Sequence, residues 1–182
     1  MIGEISLPAL LFIGIVVAQR LGELALARRN TARLLAQGAR EIGAAHYPLI
    51  VVLHAAWIIA LIVFGWRAPL AWPWVFAYAM LQVFRVWILS SLGGRWTTRI
   101  IIVEEPLVRR GPYRFVKHPN YLLVATELIV VPMGLGLPAV AVAFTAFNAL
   151  VLSIRIRAEN EGIASIGTGQ LVLRRPSCIG CD

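Results

Sequence analysis

Charged side chains are scarce in this chain. They make up 14% of its 182 residues, while 59% of the residues are hydrophobic, whereas soluble domains carry roughly 25% charged residues. The apolar residues come in long blocks rather than with the spacing of an amphipathic helix. This pattern excludes an ordinary soluble domain and indicates an integral membrane protein, with length for one domain of four or five spans.

Acidic residues are the scarcer of the two charged types. Nine Asp and Glu stand against 17 Lys and Arg, which gives a net charge of +8. Basic proteins often bind nucleic acid, but here the basic residues lie in short loops between apolar blocks, where membrane topology explains them. We therefore predict no nucleic-acid partner and expect the chain to be surrounded by membrane lipid.

Cysteine is also scarce, and a basic segment at the N-terminus is lacking. The two cysteines, Cys178 and Cys181, lie in the C-terminal tail, and a lone pair falls short of the roughly four ligands of a zinc site. We interpret them as incidental thiols and predict no metal site. Because the first basic residues follow the first apolar block, that block is predicted to be a span rather than a cleavable signal peptide.

Five apolar segments are predicted to be transmembrane helices, because a chain in lipid must satisfy its own backbone hydrogen bonds. They come, in order, from about residues 5–21, 47–64, 70–92 and 121–156, the last of which is divided by PMGLGLP at 132–138. The fourth segment is short for a crossing of roughly 20 residues, which predicts a tight hairpin with the fifth. The predicted fold is an all-α integral membrane bundle, with a domain at 1–166 and a flexible tail at 167–182.

Basic residues alternate between rich and poor loops. The segments after the first, third and fifth spans are rich in Arg and Lys, whereas the turn after the second holds Arg67 alone and the turn after the fourth holds none. By the positive-inside rule, the N-terminus faces outward and the C-terminus faces the cytoplasm. Five spans fit this alternation and four do not.

The most polar stretch of the middle of the chain is RRGPYRFVKHPNY, residues 109–121. Its Gly-Pro pair predicts a turn, and Pro119 suits the first turn of the next helix. The stretch would then lead into a helix N-terminus, where backbone N–H groups favour an anionic ligand. The alternative interpretation is an interfacial anchor, with Tyr113 and Tyr121 in the aromatic belt of the membrane.

A second polar cluster, RIRAENE, follows the fifth span. Arg155 and Glu159 are four residues apart, so they share one face of a helix. They could form a surface ion pair of little energetic value, or they could meet the stretch before the fourth span, since both are predicted to be cytoplasmic. In the second case the two clusters together would form a binding site.

Several polar residues lie inside the spans, where they are costly and are usually paired or functional. They are His54, Gln82, Arg85, Glu127 and Asn148. We leave two roles open for Glu127: an ion-pair partner of Arg85, or a general base whose pKa is raised by burial. His54 is interpreted as a satisfied interior histidine, and His46 as the better candidate for a site.

Taken in order, the run EPLVRRGPYRFVKHPNY, the hydrophobic hairpin and RIRAEN resemble the isoprenylcysteine carboxyl methyltransferase family of membrane enzymes. The shared pattern is an apolar run, a Gly and a Tyr, a basic residue before His-Pro-x-Tyr, and a later Arg-x-x-x-Glu pair, over about 60 residues. The front half, from RRNTARLL to VVLHAAW, resembles a bacterial branch associated with O-methylation of long-chain alkylpyrones and alkylresorcinols. The resemblance implies a bacterial inner-membrane location.

The resemblance further implies S-adenosylmethionine as methyl donor and a cytoplasmic donor site. By position, Arg155 faces the acceptor, and the residues that line the cofactor site are Glu105, Pro106, Leu107, Val108, Tyr113, His118, Pro119, Asn120, Tyr121 and Glu159. The chain departs from the family's pattern in two places. Asn160 stands where the family usually carries a second acid, and Glu105 stands where some members carry His.

The chemistry of the donor suits these residue types. Its carboxylate fits a helix N-terminus, its ribose hydroxyls fit the Glu159 carboxylate, and its adenine can pack on Tyr113 or His118. The Gly-rich loop of soluble methyltransferases is missing from the sequence. The predicted reaction is methyl transfer to the carboxylate or the phenol or enol oxygen of a lipophilic acceptor that enters from the bilayer, with Glu127 as base for a phenol.

Three alternative functions stay open at the level of sequence. The donor could serve another acceptor, such as a prenylcysteine carboxylate or the amine of a phospholipid headgroup. The chain could be an NADPH-dependent membrane reductase of the sterol reductase type, although such proteins usually have more spans. It could also be a non-catalytic scaffold whose polar stretches only anchor loops at the membrane surface.

Overall fold

The computed structural model describes residues 5–102, 108 and 110–173, with side chains up to residue 161. In this part of the chain the helices are α1 (Leu7–Ala36), α2 (Tyr47–Gly65), α3 (Trp72–Leu92), α4 (Pro119–Gly134) and α5 (Pro138–Leu173). The predicted all-α membrane bundle is confirmed. Short strands β1 (Arg40–Ile42) and β2 (Ile100–Ile102) form a small antiparallel sheet beside it.

Four helices of the described chain are long and apolar enough to cross a membrane: α1, α2, α3 and α5. Helix α4 is apolar but has only 16 residues. At 1.5 Å per residue it spans about 24 Å, less than the roughly 30 Å of a hydrocarbon core. The chain turns at residues 135–137 and returns in α5, which packs along α4 as the hairpin interpretation predicts.

Proline sets where the helices begin. A proline lacks the backbone N–H that a first helical turn leaves unpaired, and its fixed φ suits a helix start. Each helix of the described chain has a proline at its first or second position, namely Pro8, Pro48, Pro73, Pro119 and Pro138. This regularity explains why helix starts agree with the sequence interpretation to within about two residues.

The bundle is apolar on the outside as well as on the inside. Its core packs Trp57, Leu61, Leu128 and Val131 among α1, α2, α3 and α4, while large apolar side chains such as Phe76 are exposed on the outer faces. Fully or nearly fully buried polar groups are present too, and they include Arg85, Glu127, Asn148 and Arg155. This distribution is the one a lipid solvent imposes, because apolar surface costs nothing there and buried polar groups need partners.

Three local features differ from the sequence interpretation. Helix α1 continues to Ala36, well past the predicted end of the first span at residue 21, because good helix formers such as Leu and Ala separate its arginines. Helix α5 continues to Leu173, into the segment that the sequence interpretation treats as a tail without helical period, while the domain boundary at 166 stays a prediction. The sequence interpretation did not include the small sheet, in which Arg40 pairs with Ile102 and Ile42 pairs with Ile100.

Candidate active site

A cavity of about 470 Å³ opens between the helices and the segment that contains β2. Side chains of all five helices of the described chain contribute to its wall. Most of the wall is apolar, and two polar clusters interrupt it. We call the outer cluster the group formed by His118, Tyr121, Arg155 and Glu159, and the inner cluster the group formed by Arg20, Glu23, Arg85 and Glu127.

The outer cluster joins the start of α4 to α5. The Tyr121 hydroxyl donates a hydrogen bond to Glu159 Oε2 at 2.9 Å and accepts one from Arg155 Nε at 2.9 Å. His118 stacks on Tyr121 with ring centroids 5.0 Å apart, and its Nδ1 lies 3.8 Å from Glu159 Oε2. The two polar stretches that the sequence keeps 38 residues apart therefore meet at one side of the cavity.

Local sequence explains how these side chains reach one another. His118 lies just outside α4 with a φ of −129° and a ψ of 64°, because helical dihedrals are disfavoured for the residue before a proline. Its carbonyl accepts hydrogen bonds from the backbone N–H groups of Tyr121 and Leu122, so the imidazole and the phenol leave the first turn on the same side. On α5, Arg155 and Glu159 are one helical turn apart and face them together.

The segment between α3 and β2 forms the rim of the outer cluster. Arg155 donates a hydrogen bond to the Thr98 carbonyl at 2.5 Å, and the Thr98 hydroxyl lies 3.2 Å from that of Tyr47. Arg99 binds Glu41 on β1 at 2.9 Å, and this hydrogen bond raises the pKa of the Arg99 guanidinium. Thr98 thus attaches the rim to α2 and α5, and Arg99 attaches it to β1.

A tight turn at residues 111–114 brings Tyr113 to the cavity. Gly111 has a φ of +59°, and a Cβ at this position would collide with Ser91 Oγ. Arg110 fixes the same contact, because its Nε donates to the Ser91 carbonyl at 3.0 Å. Burial raises the pKa of the Tyr113 phenol, which therefore stays neutral and presents an O–H group.

The inner cluster lies deeper along the helices. Glu127 is fully buried, accepts hydrogen bonds from Arg20 at 2.7 Å and Gln82 at 2.9 Å, and forms an ion pair with Arg85. Glu23 also pairs with both arginines. The cluster ties α1, α3 and α4 together in the interior of the bundle.

The structure places six of the twelve residues that the sequence selected on the wall of the cavity. Those that line the cavity are Tyr113, His118, Asn120, Tyr121, Arg155 and Glu159. Pro119 is buried in the first turn of α4, and Val108 is half-buried; neither lines the cavity. Glu105, Pro106 and Leu107 lie outside the described residues.

The structure supports some of the roles that the sequence suggests for the intramembrane residues and leaves others unsupported. Glu127 forms the predicted ion pair with Arg85 and does not line the cavity, so its role as a base stays a prediction without support from its position. His54 lines the cavity and bonds the Ile50 carbonyl through Nδ1 at 2.8 Å. His46 lies beside Gly43 and outside the cavity wall.

Sequence reasoning missed Arg20 and Glu23, which line the cavity from α1, and Tyr47 and Thr98 at the rim. By sequence, Arg20 is no more than a charge at the boundary of the first span. The available signal was the spacing: an Arg and a Glu three residues apart on one helical face, where an apolar block has just ended.

The sequence profile of the isoprenylcysteine carboxyl methyltransferase (ICMT) family matches residues 74–165. The match covers half of the chain and contains the whole outer cluster. This chain belongs to that family. The resemblance inferred from its motifs is therefore confirmed, and the family is one of membrane methyltransferases.

Two relatives of this family member extend the likeness over most of the chain. A Bacillus subtilis (strain 168) protein called "Uncharacterized protein YpbQ" is 38% identical over 160 residues, which are 84% of this chain and 95% of the relative. An uncharacterized protein of Haemophilus influenzae (strain Rd) is 27% identical over 172 residues, 86% of this chain and 98% of the relative. No solved structure matches the chain. The alkylpyrone branch stays a prediction.

Proposed function

We propose that the protein transfers a methyl group from S-adenosylmethionine to an oxygen of a lipophilic acceptor. The observation that carries this proposal is the outer cluster: an imidazole, a phenol, a guanidinium and a carboxylate converge at the N-terminus of α4, on the wall of a mostly apolar cavity. A cavity that is polar at one side and apolar elsewhere suits a polar methyl donor and a lipophilic acceptor.

The residues present fit the donor. His118 Nε2 is buried and has no hydrogen-bond partner among the described residues, so it is available to form a hydrogen bond with a ligand. Glu159 can accept more bonds than the one from Tyr121, as a carboxylate has about four lone-pair sites. We assign these two side chains to the donor's polar groups, together with Asn120 and Tyr113, which also line the cavity.

When bound, S-adenosylmethionine would supply a methyl group that is already activated on a sulfonium. The protein then needs only to position the two reactants and to exclude water from them. Tyr121 fixes the outer cluster because it bonds Arg155 and Glu159 at once. Arg155 lies between Tyr121 and the Thr98 carbonyl, where it can hold an oxygen of the acceptor. Ile50, Ile58 and Leu152 provide apolar wall for the acceptor's chain.

The orientation in the membrane is part of this proposal. The basic segments on either side of the outer cluster favour a cytoplasmic donor site, with the N-terminus outside and the C-terminus inside a bacterial inner membrane. The donor then arrives from water, and the acceptor diffuses in from the bilayer.

Titration of the purified protein tests the donor assignment. We expect binding of S-adenosylhomocysteine, the demethylated product, and no binding of NADPH. Binding of NADPH alone would support a membrane reductase, and binding of neither would support a scaffold. Transfer of labelled methyl from S-adenosylmethionine to a lipid extract then identifies the acceptor.

A Tyr121→Phe variant tests the outer cluster directly. It removes the hydroxyl that joins Arg155 to Glu159, and two groups that each lose a partner should weaken S-adenosylhomocysteine binding by about tenfold. Tyr78→Phe is the matched control, because Tyr78 bonds Gln19 in the core and does not line the cavity. Equal binding by the two variants would contradict the assignment.

A further inference from the structure

Residues 114–117, which we call the RFVK segment, carry apolar side chains that the bundle leaves uncovered. Phe115 is 75% exposed and Val116 is 41% exposed. In the described connections between helices, no other large apolar side chain is as exposed as these two. Most of the others lie on the outer faces of helices, where lipid covers them. This patch therefore needs an apolar environment that the described part of the chain does not supply.

Two cations frame the apolar patch. Arg114 precedes Phe115 and Lys117 follows Val116, and both cations are exposed. The Arg114 guanidinium lies 5.7 Å from the centre of the Phe115 ring, so the two side chains project together. Lys117 donates a hydrogen bond to Asn160 at 2.8 Å, which leaves two N–H groups of its ammonium for other partners. Neither cation forms an ion pair with a described residue, so an anion can reach both.

The contacts of the preceding turn place the RFVK segment at the surface of the membrane. Helix α3 has 21 residues, about 32 Å of helix, which is close to the roughly 30 Å of a hydrocarbon core. Gly111 and Arg110 both contact Ser91, which is the last residue but one of α3. Helix α4 then begins at Pro119. The segment thus lies between the end of one span and the start of the next helix, where lipid headgroups are found.

The aromatic side chain that points outward from this stretch is a phenylalanine and not a tyrosine. Tyr113 and Tyr121 line the cavity, so they do not form part of an aromatic belt. Phe115 lies between them in the sequence and faces away from the bundle. The two interpretations of residues 109–121, a binding site and an interfacial anchor, are therefore compatible, because different side chains carry them.

We propose that the RFVK segment binds an anionic phospholipid of the adjacent leaflet, and that the bound lipid keeps the donor site ordered. Phe115 and Val116 enter the apolar layer beneath the headgroups, while Arg114 and Lys117 bind phosphate groups. Basic residues at a bilayer surface are attracted to anionic lipid, whereas a zwitterionic lipid has no net charge to offer them. The position at the end of a span favours lipid over a soluble protein as the occupant.

The effect on the donor site rests on the proposed function. Tyr113 and His118, which we assign to the donor, stand directly before and directly after the RFVK segment, and Lys117 itself lines the cavity. A segment that becomes ordered when a ligand binds lowers the affinity for that ligand. Because the lipid already orders the segment, the donor should bind more tightly in a membrane that contains anionic lipid.

Fluorescence quenching tests the contact with lipid and needs no donor. With serine at both native cysteines, a Phe115→Cys variant is labelled with an environment-sensitive fluorophore and placed in nanodiscs of phosphatidylcholine and phosphatidylglycerol. We expect blue-shifted emission, quenching by lipids that carry a nitroxide near the headgroup, and loss of quenching by aqueous iodide.

A label at residue 37 is the matched control for this measurement. Gln37 is exposed and follows α1, whose 30 residues make about 45 Å of helix and so pass beyond the bilayer. A Gln37→Cys variant should be quenched by iodide and not by the nitroxide lipids. If iodide quenches both labels equally, the patch lies in water, and a soluble partner replaces lipid as its occupant.

Donor affinity in nanodiscs of two compositions tests the coupling. S-adenosylhomocysteine should bind the wild type at least roughly threefold more tightly with phosphatidylglycerol present than in phosphatidylcholine alone. Arg114→Gln with Lys117→Gln should remove this difference, and binding in phosphatidylcholine shows that the variant is folded. Arg28→Gln with Arg29→Gln removes the same charge from exposed positions of α1 and should keep the difference. The same response in both double variants contradicts the assignment to the RFVK segment.

The two measurements separate this proposal from the proposed function. A wild type that binds S-adenosylhomocysteine equally well in both compositions overturns the coupling, whatever the label at residue 115 reports. A wild type that does not bind S-adenosylhomocysteine in either composition overturns the proposed function, and the label at residue 115 still decides whether the segment contacts lipid.

Discussion

At the scale of residues, Tyr121 links the two halves of the site. One hydroxyl bonds a carboxylate and a guanidinium that belong to the other polar stretch, and the ring stacks on His118. Each of these contacts depends on α4 starting at Pro119, because a shift of one residue would turn the phenol by about 100° around the helix. The proline and the tyrosine therefore act together.

Glu127 illustrates how position decides between two roles for one residue. A Glu127→Gln variant should lose stability, by about 3–5 kcal/mol, because Arg20 and Arg85 then share the single carboxylate of Glu23. Thermal unfolding in detergent measures the loss. Adding Arg20→Gln should recover part of it by restoring neutrality.

A different outcome would restore the role of Glu127 as a base. In that case Glu127→Gln would lower the rate of methyl transfer while the unfolding temperature and S-adenosylhomocysteine binding stayed at wild-type values. The fully enclosed side chain argues for the first outcome.

Much of the outer cluster could be predicted from sequence, and the inner one only in part. His118, Tyr121 and Glu159 belong to ordered motifs, so the family resemblance located them without knowledge of packing. Glu127 and Arg85 could be paired because ionisable groups in lipid must find partners. Arg20 and Glu23 were missed, because nothing in α1 by itself says which neighbour its polar face will meet; that depends on how three helices pack.

At the scale of elements, the turn at 111–114 packs against the end of α3. Gly111 contacts Ser91 so closely that no side chain fits, and its positive φ also disfavours any residue but glycine. Such a contact cannot be predicted from helix propensity or hydrophobicity, although the Gly-Pro pair did predict the turn itself.

A Gly111→Ala variant should lower the unfolding temperature and weaken S-adenosylhomocysteine binding, because the turn that carries Tyr113 must move away from Ser91. Gly136→Ala is the matched control: its φ is +65°, but nothing lies within 4 Å of the added Cβ. The control should show only the strain of the backbone, about 1 kcal/mol. If both variants behave alike, the Ser91 contact has no importance for the site.

Helices were easier to predict than the elements between them. Apolar blocks and prolines mark α2 to α4 to within about two residues, since both signals are local. The far half of α1 and the sheet depend on contacts at long range: Arg40 and Ile102 are 62 residues apart. Three-residue strands carry too little pattern to be recognised before their partner is known.

At the scale of the whole molecule, the distribution of charge predicts orientation. In a background with serine at both native cysteines, Arg29→Cys should react with a membrane-impermeant maleimide only in inverted vesicles, because the positive-inside rule predicts that the segment after the first span faces the cytoplasm. Arg67→Cys should react in intact spheroplasts instead. Both positions are exposed in the structure. The opposite pattern would invert the topology and put the donor site on the wrong side of the membrane.

The family profile begins at residue 74, so α1 lies entirely upstream of it, yet Arg20 and Glu23 reach the cavity from that helix. The proposed donor site accordingly lies in the region that the family profile matches, whereas α1 adds cavity wall from outside that region. Chimeras that exchange this helix among relatives would then offer a route to new products without rebuilding the chemistry.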